Sequence, residues 1–276
     1  MRRAKRAYLW SALAFLAATL IFLVPFAFVV LTAIKDANDA SDLTFSWPSA
    51  THALANLAEV FAARNHMLTR ALWNSTLLTV VSVTLLVVFA AMVGFVRQRR
   101  MSRWNGLIDF MVLVGLIMPP AVVPTIWVLQ SLWLFKTMTG MILIEVAYGL
   151  AFSVLLFRAF IATIPRELDE AAIMDGASPL GLFFRIVLPL LKPVAVTTIV
   201  VQSVAIFNDF TNPLYYLPGA DNATAQLTLY NFQSQFNSSF NLLFMDILLI
   251  TIPPLIVFLI FNRQIVEGLT AGAVKG

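Results

Sequence analysis

Sixty per cent of the 276 residues are hydrophobic and 12% are charged, and the mean hydropathy is +0.88, a balance outside that of water-soluble domains and one that places the chain in a membrane. It has no cysteine, and its two histidines, His52 and His66, fall in one polar stretch, which leaves no thiol nucleophile, disulfide or paired metal ligands. A net charge of +4 raises nucleic acid as a partner, but the cations gather at the ends of apolar runs, so none is expected.

Arg2, Arg3, Lys5 and Arg6 precede an apolar run at 9–34 that is too long for the core of a cleaved signal peptide and reads as a first span. About 20 apolar residues cross ~30 Å of hydrocarbon, and runs of that kind recur at 71–96, 107–127, 141–161, 194–212 and 242–261. The expected fold class is all-α: a polytopic membrane protein of six transmembrane helices, one transmembrane domain over 1–276. Between the first two spans, 35–70 is polar and is expected to hold a short helix near 53–63 outside the membrane. Pro119, Pro120 and Pro124 interrupt the third span; proline cannot continue an ordinary helix, so this span is predicted to bend or end early, inside a bundle. The stretch 213–241, rich in Asn, Gln, Ser and Thr, is read as an outer loop that dips back into the membrane. With the amino terminus inside, fourteen of the 18 Lys and Arg residues lie on inner segments and four (Lys35, Arg64, Arg70 and Lys136) on outer ones. Positive charge favours the cytoplasmic side, so both termini and the segment 163–190 are expected there.

Polar residues inside apolar runs cost roughly 2.5–3.5 kcal/mol for an acid at membrane depth and line a cavity or meet a partner. Asn208, Asp209 and Asn212 are spaced to share one side of the fifth span. They read either as a polar lining or gate, or as a bond between helices. Asn74 stands at the outer end of the second span, Glu145 in the fourth and Asp246 in the sixth. Asp109 and Arg158, at inner span ends, are expected to reach water. Tyr8, Trp10, Trp104, Trp127, Trp133, Tyr215 and Tyr216 read as a boundary belt.

The segment Glu170–Pro189, EAAIMDGASPLGLFFRIVLP, organises the rest. Pro165 is predicted to open a short helix, Gly176 to end it, and Ser178 with Pro179 to start another at once. At about 100° per residue Leu168, Ala171, Ala172 and Asp175 share a face of small side chains that suits close approach by another protein, with Glu170 and Met174 to the side. Glu167, Asp169 and Glu170 also suit the positive end of a helix, worth a few tenths of a kcal/mol each.

Glu170, Ala171, Ala172 and Gly176, followed after nine intervening residues by Ile186 and then by Leu188 and Pro189, resemble the EAA loop of the membrane subunits of ATP-binding-cassette importers. Phe207–Phe210, FNDF, resembles an aromatic–Asn–acid segment of the carbohydrate branch, with Phe207 where tryptophan is common. The ending Gly268–Gly276 resembles the tail of the maltose-type permease subunit, which reaches between the ATPases. The resemblance implies a type I importer permease fold in a bacterial inner membrane. Its implied partners are a second, homologous permease subunit, two ATPase subunits, an extracytoplasmic solute-binding protein, a sugar substrate and the lipid bilayer. It implies ATPase coupling through Glu170, Ala171, Ala172, Asp175 and Gly176, ATPase contact by Gly272, Ala273, Val274, Lys275 and Gly276, and a substrate path or gate at Asn208, Asp209, Asn212 and Asn74. No GxxxxGK[ST] phosphate loop occurs in the chain, so no cofactor, catalytic residue or metal is expected here, and ATP with Mg would sit on the partner ATPases. The alternative is a self-contained transporter or channel driven by an ion gradient through Asp209, Glu145 and Asp246.

Overall fold

The structure, a computed structural model, describes residues 2–233 and 239–273. In chain order the helices are α1 (Arg2–Ala33), α2 (Ala37–Ser41), α3 (Ala53–Arg99), α4 (Asn105–Ile117), α5 (Val122–Ser131), α6 (Met138–Ile161), α7 (Glu167–Met174), α8 (Pro179–Leu182), α9 (Leu188–Leu190), α10 (Lys192–Phe207), α11 (Thr211–Tyr216) and α12 (Phe240–Ala273). A π-helical turn, Phe183–Val187, joins α8 to α9, and among the described residues there is no strand. Among the described residues four helices are long and apolar enough to cross a membrane, or up to six spans if each of two bent pairs counts as one.

Proline sets both bends. α4 and α5 meet at 119° across Met118–Ala121, where Pro119 and Pro120 withhold N–H donors and force extended backbone on their neighbours; the third span bends as its prolines predict. The second bend, 74°, separates Pro179–Leu190 from α10 at Leu191, with Pro189 and Pro193 on either side. Within α3, Ala63, Arg64, Asn65 and His66 leave the helical region, the last three at positive φ. The expected short helix thus forms as the first part of α3.

The chain divides into two compact units, Met1–Arg70 with Leu227–Ile252 and Ala71–Gln226 with Pro253–Gly276. In the first, Phe28 stacks on Phe45 and meets Phe244 edge-on. Lys35 is buried yet satisfied, its Nζ donating to Thr44 O and Ser46 Oγ, both at 2.9 Å. Asn56 donates to the carbonyls of Ala33 and Lys35 and accepts from Asn241. The carboxylate of Asp39 accepts from the backbone N–H and the hydroxyl of Ser49, which holds it below the ordinary carboxylate range. Asp246, fully buried, accepts from Thr228 Oγ1 at 2.8 Å.

In the second unit the core forms two clusters. One gathers Phe157, Ile161, Ala172, Phe183, Val187 and Leu191 around the turn that follows α6. The other surrounds Leu86, Met141, Ile206, Tyr216 and Leu217. Where α3 passes α6 the helices nearly touch: a Cβ on Gly149 would lie 2.8 Å from Leu86 Cδ1, and one on Gly94 3.1 Å from Phe157 Cβ.

Candidate functional site

The α7–α8 segment has a helix-turn-helix form set by local chemistry. Gly176 takes φ +82°, its N–H bonds to Ile173 O, and Ala177 N–H bonds to Ala172 O, both at 3.0 Å. That pair of bonds is the Schellman close of a helix, which requires a residue at ease in the left-handed region. Ser178 then caps α8, its hydroxyl accepting from Gly181 N–H at 3.1 Å, with Pro179 in the first turn where no N–H is missed. The start differs from expectation. α7 begins at Glu167, capped by the backbone of Arg166, not at Pro165, because the carbonyls of Ile164 and Pro165 turn aside to accept from Arg99 Nη2.

The expected four-residue face also divides. Leu168, Ala171 and Asp175 are exposed, as are Glu170 and Gly176, and Met174 is 86% exposed. Ala172 instead turns inward with Asp169, three residues earlier on the helix, and packs in the Phe157–Leu191 cluster. The outward face is thus small and uncharged at Ala171, apolar at Leu168, Ile173 and Met174, and acidic at Glu170 and Asp175.

Asp169 is the residue that sequence reasoning placed only at a helix end. Its carboxylate lies 2.7 Å from Arg99 Nε, with both side chains largely buried. Arg166 Nη2 also donates to Gln98 O at 3.3 Å. The last turn of α3 and the first turn of α7 are therefore tied by one buried ion pair and three bonds to backbone carbonyls. A cavity of about 420 Å³ opens beside this junction, lined among others by Phe95, Arg100, Arg166 and Ile173. Next to it Asp109 bridges two cations: it accepts from Arg97 Nε at 2.7 Å and from Arg158 Nη1 at 2.9 Å, and pairs again with Arg97 Nη2. Asp109 and Arg158 stay partly exposed, as expected of groups that reach water, and α3, α4 and α6 also bring their unlike charges together.

At the other end of the second unit Asn208, Asp209 and Asn212 do not share a helix face. α10 ends at Phe207, and Asn208 is its exposed cap. Asp209 Oδ1 accepts the N–H groups of Thr211, at 2.8 Å, and Asn212, at 3.2 Å. A short acidic side chain that bonds the backbone ahead of it competes with helix continuation and starts α11 instead. Glu145, buried on α6, meets Asp209 and Asn212, and Tyr148 and Tyr216 share a hydrogen bond at 3.0 Å close by. The structure thus gathers Glu145, Asp209 and Asn212 into one polar nest, with Tyr216 inside it rather than at a boundary.

Asn208 is bound elsewhere, its Oδ1 accepting from Gln226 Nε2 at 3.0 Å. Asn74 is occupied by the segment that leads to Gln226: its amide donates to Asp221 O and Ala223 O, each at 3.0 Å. Beside it Ser75 Oγ, buried, accepts from Ala225 N–H at 2.8 Å. Asn222 reaches Lys136 O at 3.2 Å. The carboxyl-terminal residues continue α12, so Gly272 and Ala273 are helical in backbone, while Val274, Lys275 and Gly276 lie outside the described residues.

Residues 86–270 match the family described as binding-protein-dependent transport system inner membrane component. The multiple sugar-binding transport system permease protein MsmG of Streptococcus mutans is 29% identical over 97% of this chain and 97% of its own. The arabinooligosaccharides transport system permease protein AraQ of Bacillus subtilis is 31% identical over 74% of this chain and 73% of its own. In fold, the chain is similar to one in the crystal structure of a bacterial ABC transporter involved in the import of the acidic polysaccharide alginate, with a TM-score of 0.83 at 18% identity over 95% and 98% of the two chains. With its apolar helices bent at proline and its loop between α6 and α10, the chain belongs to the binding-protein-dependent inner membrane components, multi-pass proteins of the bacterial inner membrane.

Proposed function

We propose that this chain is one of two permease subunits of an ATP-driven importer for a sugar or sugar derivative, and that the α7–α8 segment is where ATPase subunits act on it. The observation that carries the reading is the uncovered face of α7: a rigid helix, closed by Gly176 and fixed from behind by Ala172 and Asp169, holds Leu168, Ala171, Ile173 and Met174 outward between Glu170 and Asp175. Such a face, apolar in the middle and charged at the rim, suits a cleft in another protein. ATP and Mg belong to that partner. The relatives named for multiple sugars and for arabinooligosaccharides support a carbohydrate, delivered by an extracytoplasmic binding protein. The count of cations supports an arrangement with both termini and α7 in the cytoplasm, and the tail at Gly272, Ala273, Val274, Lys275 and Gly276 would reach the ATPases. The polar nest, with Asn208, Asp209 and Asn212, would border the substrate path.

Copurification from membranes tests this directly. Tagged wild-type chain is expected to bring down an ATPase, and Glu170→Arg, which reverses charge on the outward face, to lose it. Gly176→Leu is expected to remain in the membrane but to lose substrate-stimulated ATP hydrolysis, because leucine resists the left-handed turn. An ATPase retained by both variants with normal stimulation would sink the coupling role, and solute uptake by the chain alone in vesicles would favour an ion-driven carrier.

A further inference from the structure

From Asn74 to Arg99 α3 runs as unbroken helix, about 38 Å at 1.5 Å per residue, and its polar ties sit at its two ends. At one end Arg99 holds Asp169 and the carbonyls ahead of α7. At the other, Asn74 and Ser75 hold the segment 221–225, whose next residue, Gln226, holds Asn208. Between them α3 meets α6 through apolar contacts at Leu86 and Gly94, and the buried hydroxyls Thr79 Oγ1 and Ser82 Oγ make no hydrogen bond among the described residues. A helix of this length, held by directional polar ties among the described residues only near its ends, passes a displacement of one end to the other as a body, because its close apolar contacts let it shift without breaking a hydrogen bond.

We propose that α3 is the rod by which the ATPase-facing segment moves the 217–226 segment beside Asn208, with Arg99, Asp169, Asn74 and Ser75 as its positioning residues. This rests on the coupling role of α7 and adds the route. Since coupling between two sites is reciprocal for binding, the same rod carries the arrival of a binding protein back to the ATPases.

The chain has no cysteine, so spin labels placed at Ala220→Cys and Val201→Cys, both exposed, report the distance between the 217–226 segment and α10 in an assembled complex whose other subunits lack cysteine. ATP with binding protein is expected to shift that distance in the otherwise wild-type chain. Asp169→Asn and Ser75→Ala, at opposite ends, are each expected to remove at least half of the shift, read in the fraction of complexes that copurify whole. Combined, they are expected to do no more than the stronger alone, as two breaks in one rod must. The rod is overturned if the wild type shows no shift, if only one of the two variants reduces it, or if the losses multiply. Failure of the coupling role itself is read separately, as ATPase retained by Glu170→Arg.

Discussion

The two ends of the second unit are held by different chemistry. Around α7 the ties are ionic: Asp169 with Arg99, and Asp109 with Arg97 and Arg158. Around the 217–226 segment they are neutral, amides and hydroxyls to backbone groups. Removing one partner of a buried ion pair strands a charge and costs roughly 3–5 kcal/mol, whereas a neutral hydrogen bond contributes about 1 kcal/mol net. The ionic end is therefore suited to hold its geometry under load, and the neutral end to release and re-form.

The largest expected effect is at the ionic end. Arg99→Ala leaves Asp169 buried without its cation and frees the carbonyls of Ile164 and Pro165, for a loss of roughly 3 kcal/mol, read as a lowered thermal midpoint of the purified subunit and less protein in the membrane. Asn74→Ala, at the neutral end, is expected to cost about 1–2 kcal/mol for its two bonds to Asp221 and Ala223, in the same assay. If Asn74→Ala proved as damaging as Arg99→Ala, the contrast between the ends would break. The smallest effect lies in the first unit and depends on pH. Asp39 is held below its ordinary value by Ser49, so its contribution is full above the ordinary carboxylate range and is lost as pH falls through the lowered value. Asp39→Asn is expected to lower the midpoint slightly at neutral pH, with the difference from wild type closing in acid; a difference independent of pH would show that charge is not the cause.

What was legible in the residues was mostly local. Gly176, Ser178 and Pro179 dictate their turn within five residues, and Pro119 with Pro120 break a helix wherever they stand. The inward side of α7 was not legible, because Leu168–Ala171–Asp175 and Asp169–Ala172 are both fair helical faces, and only the core beneath, with Phe157 and Leu191, selects between them. Asp109 found Arg97 and Arg158 because α4 folds back along α3 and α6, a pairing that spacing along the chain does not express. Lys35 is similar: its acceptors, Thr44 and Ser46, come from a turn whose path no pattern declares. The end of α10 was different, since Asp209 followed by Thr211, Asn212 and Pro213 carries the signal of a new helix start. The apolar run through Phe207 and Phe210 outweighed it, and the assumed single span placed three polar residues on one face that the chain in fact distributes around a corner.

The π-helical turn at Phe183–Val187 lies between Gly176 and Pro189, and it changes what the nine-residue interval to Ile186 means. A π turn holds one residue more than an α turn, so the buried series Phe183, Val187, Leu191 and Val194 includes a stretch wound more widely than an α-helix. Deleting a single residue there would let the turn rewind as α with the rest of the chain kept nearly in phase, whereas a deletion in the α turns on either side would rotate everything after it by about 100°, turning Leu191 out of the core. The widened turn is therefore where the interval holds its spare residue: one residue fewer at Phe183–Val187 leaves the same side of α10 looking inward, and one fewer in the flanking helical turns does not.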